Sequence, residues 1–211
     1  IEYRSAKIEK DKEGVAQVDV ETVENIKTLA NSKSSKVISI FGIDTAARES
    51  QNYYMKKAMK PIYNLLESES DQNTDFLSIF HSMKAEDKFD LIWNIQLGET
   101  YDHPVIDQFV DELLLPVLLN EEHESSTIIT HSFGGAFIQA AQINAVAKLR
   151  KSGMGDDRVQ KLFDDRFRVV QFGYTSECKA LADCPRIKTY AIMQQNDLIP
   201  PDQSTSIWQD G

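Results

Sequence analysis

Apolar positions in this chain alternate between two rhythms, short continuous runs and longer stretches with helical spacing. At 19–30, Val20, Val23, Ile26 and Leu29 recur about every third residue behind Asp19, a favourable helix N-cap; this predicts an amphipathic helix in a polar N-terminal stretch. Asn31-Ser32-Lys33-Ser34-Ser35 then reads as a loop. Val37-Ile38-Ser39-Ile40-Phe41 is a continuous apolar run ended by Gly42, the pattern of a buried strand. Residues 45–67 predict a helix that Pro61 kinks or divides, 68–75 a polar loop, and 76–83 a short helix. Residues 89–97 (FDLIWNIQL) read as a second strand, ended by Gly98.

Asp102-His103-Pro104 marks a helix start, with Asp102 as N-cap and Pro104 in the first turn. That helix runs to about Leu119, with a kink at Pro116. Residues 126–130 are a third strand. Residues 133–151 form a long helix stopped near Gly153; its stripe Ala136, Ala140, Ile143, Ala147 would let it lie close to a sheet. Residues 156–165 add a helical turn or two, and 168–172 and 187–193 a fourth and fifth strand. Strands separated by helices imply an α/β fold: a mostly parallel, doubly wound sheet with helices on both faces. The expected organisation is a polar, helical extension over 1–35 followed by one domain over 36–211, and 211 residues suffice for a substantial core.

A formal net charge of −10 argues against a nucleic-acid partner, because phosphate binding requires clustered Lys and Arg. The basic stretches, Lys56, Lys57 and Lys60, and Lys148, Arg150 and Lys151, are short, and the second suits the end of a helix. No run of about 18 apolar residues is present, and the first residues carry no apolar segment of a signal peptide. The expectation is a soluble protein, cytoplasmic by default and not transmembrane. Cys178 and Cys184 are read as free thiols, although they could pair across a short loop. His81, His103, His123 and His131 have no metal-ligand spacing, so no metal or organic cofactor is expected.

In a doubly wound sheet, function gathers at the carboxyl ends of the strands. One of these ends is distinctive. Thr127-Ile128-Ile129-Thr130-His131-Ser132-Phe133-Gly134-Gly135 runs strand, serine, helix. A sharp turn there would project the Ser132 hydroxyl above the sheet and leave the Phe133 amide at the helix N-terminus, where it could stabilise an oxyanion. His131-Ser132-Phe133-Gly134-Gly135 resembles the HSFGG or HSxGG elbow of lipases, esterases and related α/β-hydrolases. The departure is Thr130, where that pattern usually has Gly. The other reading of these residues is close helix–sheet packing at Gly134-Gly135, with Ser132 as a helix N-cap.

The resemblance implies a nucleophilic Ser132, an acid and a histidine in that chain order. Asp197, in Gln194-Gln195-Asn196-Asp197-Leu198-Ile199-Pro200, resembles the acid-bearing segment of the family, with Glu177 as runner-up; as plain sequence, Asn-Asp before Pro-Pro is also good loop chemistry. Gly42 fits the second oxyanion donor, and a strand-ending glycine equally well. No histidine follows Asp197. Three explanations stand: the chain stops before the histidine-bearing segment, His103 substitutes, or the scaffold does not catalyse. His131 is expected to pack or hydrogen-bond beside the elbow, with its side chain on the opposite face from its neighbours. His81 and His123 are assigned bland roles. The implied function is hydrolysis of a carboxylic ester, with a small-molecule ester or lipid substrate. The alternatives are a catalytically inactive module that binds a protein partner and an acyltransferase of the same fold.

Overall fold

The computed structural model describes residues 1–10, 12, 16–40, 56, 60, 74–173 and 185–192. Strands β1 (Glu2–Lys10), β2 (Ala16–Thr22), β3 (Ser35–Ile40), β4 (Thr74–Phe80), β5 (Ser126–His131), β6 (Phe167–Phe172) and β7 (Lys188–Ile192) join in one sheet, in the order β2-β1-β4-β3-β5-β6-β7. From β4 to β7 every pairing is parallel; β1 pairs antiparallel with both β2 and β4. The fold is α/β with a mixed sheet, and the antiparallel hairpin at one edge is what the expectation of a mostly parallel sheet lacked.

Helices α1 (Ile26–Ala30), α2 (Ala85–Leu97), α3 (Pro104–Phe109), α4 (Leu115–Leu119), α5 (Phe133–Lys151) and α6 (Asp156–Arg166) all contribute to one core cluster, shared with Ile38, Ile40, Leu77, Ile79 and Ile128 of the sheet. A second cluster, with Ala6, Val18, Val37, Phe76, Phe80 and Ile129, consists of strand residues on the other face. Among the described residues the helices therefore cover one face, so helices on both faces are not what this part of the chain displays. No described helix is long and apolar enough to cross a membrane.

Several expectations are corrected. The helix over 19–30 is a strand followed by one helical turn: Val18 and Val20 alternate with the polar Gln17, Asp19 and Glu21 in β2, and the helix begins only at Ile26, capped by the Asn25 side chain on the Thr28 amide at 3.2 Å. The short helix over 76–83 is β4, in which Phe76 to Phe80 are buried without alternation, as befits an inner strand covered on both faces. The strand over 89–97 is helix α2, whose Leu91 and Ile95 face the core four residues apart. The helix expected from about 102 to Leu119 is divided by a π-helical turn, Val110–Leu114, and Pro116 lies in the first turn of α4 that follows it. Asp102 yields the cap to its neighbour: His103 is the N-cap of α3 and accepts the Val105 amide on Nδ1 at 3.2 Å.

Strand β1 has no counterpart in the sequence reading, which expected a polar, helical extension over 1–35; with β2 it belongs to the sheet. The elements from β5 to β7 follow the reading closely. The boundaries of α5 agree to the residue, and the chain leaves it at Gly153 with φ 88°, a conformation glycine adopts without strain. Apart from residues 56 and 60, the predicted helix over 45–67 lies outside the described residues, as do Gly42, both cysteines, Glu177 and Asp197.

A buried polar network closes the amino end of the sheet, away from the strand ends that carry the elbow. Lys36 is fully buried; its Nζ donates to Ser34 O at 2.9 Å and Ser32 Oγ at 3.1 Å and lies 3.4 Å from His123 Nδ1. His123 Nε2 pairs with Ser126 Oγ at 2.7 Å, and that oxygen accepts the Lys36 amide at 3.0 Å. Arg166 ties the His123 carbonyl to α6 at 2.6 Å. Burial lowers the Lys36 pKa to about 8, opposed by the charge of Asp75.

Candidate active site

The chain turns from β5 into α5 through a single residue, Ser132, with φ 52° and ψ −125°. Among the described residues it is the only non-glycine with positive φ. Such a conformation strains any residue with a Cβ and persists only where the surroundings enforce it. The surroundings here are specific. The Ser132 amide extends the β5–β6 ladder by donating to Phe172 O at 3.1 Å, and its carbonyl accepts the Gly135 amide at 3.0 Å. One residue thus ends a strand and starts a nineteen-residue helix.

The two glycines after the serine make the turn fit. A Cβ on Gly134 would overlap the carbonyl oxygen of Ile40 in β3 and approach its carbonyl carbon to 3.0 Å. A Cβ on Gly135 would collide with the Gln171 side chain of β6, coming within 2.6 Å of its Cδ. Thr130, at the position where the family pattern has glycine, is fully buried and paired with Ile40 and Gln171 on its two sides. The close approach falls after the serine, so a threonine two residues before it is accommodated. Gly134→Ala is expected to cost about 1–3 kcal/mol, because a strand carbonyl cannot step aside. Gly135→Ala should cost less, because a glutamine side chain can move. Thermal denaturation of the two variants would test that order.

The N-cap reading of Ser132 is not realised: its side chain makes no capping hydrogen bond. The hydroxyl is therefore not spent on the first-turn amides, and the Phe133 amide stands at the positive end of α5. Phe133 is buried, its ring facing His81 and lying under Lys88.

His103 sits at the start of α3. Its Nδ1 caps the helix, its Nε2 lies 3.6 Å from Asp87 Oδ2, and its ring stacks on Tyr101 at 5.6 Å. The Tyr101 backbone is held to α5 by the Asn144 side chain at 3.0 and 2.9 Å. No hydrogen bond joins His103 to Ser132 among the described residues. His131 is exposed beside Gly173, on the far side of the strand from the buried Thr130. His123 belongs to the network at the opposite end of the sheet.

His81 is the residue that sequence reasoning passed over. It follows β4 directly and is 6% exposed, and neither ring nitrogen has a hydrogen-bond partner among the described residues. Its ring stacks on Phe137 at 5.0 Å and tilts against Phe133 at 5.7 Å. Burial, followed by the charges of Lys88, the amino terminus and His103, lowers its pKa to about 4. Reading 76–83 as a helix removed His81 from the strand ends, where it would have drawn notice. Among the described residues no group of three metal-ligating side chains is present. No protein-family model matches this chain, and no curated protein matches it.

Proposed function

We propose that the protein is a serine hydrolase of the α/β-hydrolase type that cleaves carboxylic esters. The observation that carries this reading is the backbone of Ser132, the strained conformation expected of a nucleophile held on a strand-to-helix elbow. In the proposed reaction the Ser132 oxygen attacks the ester carbonyl and its proton passes to a base. The carbon–oxygen bond to the alcohol breaks as the alcohol takes up that proton, and water then releases the acid from the acyl-serine. The Phe133 amide, with Gly42 as second donor, would receive the oxyanion. Asp197 is the proposed acid. His103 stands as the candidate base within this chain, although leaving its cap and its Asp87 contact would require the ring to move. An acyltransferase would use the same acyl-serine with another acceptor.

The test is labelling with a fluorophosphonate followed by peptide mass spectrometry. We expect one adduct, on Ser132, that disappears in Ser132→Ala. A folded chain that takes no label would sink the proposal.

One observation favours a second reading, a module that binds a protein partner. Phe89, Trp93 and Leu97 lie four residues apart along α2 and are 73%, 67% and 51% exposed, an apolar stripe on the side away from the core. An unlabelled but folded chain would direct the search to this stripe.

A further inference from the structure

Three features of separate origin meet at Phe133, the residue after the elbow serine. The first is the N-terminus of α5, the positive end of a nineteen-residue helix. The second is Lys88 of α2, whose Nζ stands over the Phe133 ring, 5.6 Å from its centroid. No carboxylate lies within ion-pair distance of Lys88 among the described residues. Asp87, its neighbour in the chain, turns elsewhere: it accepts the Lys84 amide at 3.3 Å and lies 3.6 Å from His103 Nε2.

The third is His81, packed between Phe133 and Phe137. The sheet register puts it level with the serine. Ile79, Ile40 and Thr130 are direct partners across β4, β3 and β5, and His81 and Ser132 each lie two residues further along. A neutral imidazole carries one N–H donor and one acceptor, and in the buried His81 ring both are unpartnered among the described residues. Structures seldom leave such groups unmade without a use for them. An ammonium, an N–H donor and a helix N-terminus on one residue share a preference for negatively charged oxygen.

We propose that Lys88 and His81 form a subsite for a negatively charged oxygen group carried by the substrate, so that the ester cleaved has a carboxylate or similar oxyanion a few carbons from its scissile carbonyl. This rests on the serine-hydrolase reading. The Phe133 amide serves the transient oxyanion of the reaction, and Lys88 with the His81 N–H serves the resident charge.

The experiment is protection of Ser132 in the whole chain from fluorophosphonate labelling, with monomethyl succinate set against methyl valerate, an uncharged ester of similar length. The charged ester should protect at about five-fold lower concentration, the worth of one partly exposed charge pair. Lys88→Gln should abolish that preference, Lys88→Arg should restore it, and His81→Phe should reduce it while keeping the aromatic packing. Lys88 is partly exposed, so the Lys88 variants test the subsite even if His81→Phe fails to fold. Equal protection by the two esters, or protection by neither, on a chain that still labels at Ser132 would overturn the subsite. Absence of any label on the folded wild-type chain would instead overturn the hydrolase reading, and the subsite with it.

Discussion

Ser132→Gly should lose all fluorophosphonate labelling and at the same time be more stable than the wild type. At φ 52° and ψ −125° the serine occupies a backbone region that costs a side-chain-bearing residue about 1–3 kcal/mol and glycine almost nothing. Against this, glycine loses about 0.4–1 kcal/mol more conformational freedom on folding. The net gain is about 1 kcal/mol, a rise of roughly 2–4 °C in midpoint for a chain of this size. No cap is lost, because the Ser132 side chain makes no capping bond. Ser132→Ala supplies the control: it removes the hydroxyl but keeps the Cβ, so it should be as unreactive as the glycine variant without its added stability. Equal melting temperatures for the Gly and Ala variants would mean that the turn stores no strain, and the structural basis for a held nucleophile would go with it.

Acidification should destabilise the protein steeply between about pH 6.5 and pH 4. His81 and His123 are buried at opposite ends of the sheet, and each has its pKa lowered from 6.5 to about 4, chiefly by burial. In that interval the unfolded chain binds protons that the folded chain refuses, so stability falls as pH falls and the loss is complete below the folded pKa. For His81, whose ring nitrogens have no partner among the described residues, the loss is on the order of 3 kcal/mol. For His123, shifted to the same value, it is of the same order: burial and the charges of Lys36 and Arg166 outweigh the hydrogen bond to the Ser32 carbonyl and the attraction of Glu124. Melting curves across this range should show the decline, with His81→Phe and His123→Gln each flattening it. A wild-type midpoint that holds constant from pH 6.5 to 4.5 would refute the assignment of two neutral buried imidazoles.

The elements that were legible from sequence are those in which one signal dominates. Strands β3, β5 and β6 are short apolar runs between turn residues, and α5 couples a helical stripe to a basic last turn. The strand–serine–helix turn was legible because the two glycines after the serine are demanded at fixed places, Gly134 by the Ile40 carbonyl and Gly135 by the Gln171 side chain. The misread segments carry two signals at once. In FDLIWNIQL, Leu91 and Ile95 form the inward stripe, while Phe89, Trp93 and Leu97 place a second apolar stripe on the outside, and together they imitate an unbroken buried run. In 16–30, every-third spacing through Val20, Val23, Ile26 and Leu29 concealed the simpler alternation of a strand. That His103 makes no hydrogen bond to Ser132 among the described residues was not legible, because one partner of its ring, Asp87, depends on how α2 packs, and the other, the Val105 amide, on a helix cap that the sequence reading gave to Asp102.

The position of β3 bears on how the chain is made as well as on what it does. Its partner β4 follows after some forty residues, but its other partner, β5, comes much later: Lys36 and Ser126, bonded across that seam, are 90 residues apart. At about 5–20 residues per second of synthesis, Val37 to Ile40 wait on the order of 5–20 seconds with one apolar, hydrogen-bonding edge uncovered. The strand against which the glycines of the elbow close is thus an open template until synthesis has passed that elbow. Delay or arrest of synthesis before residue 126 should leave a nascent chain whose first hazard is pairing with another copy of its own central strand.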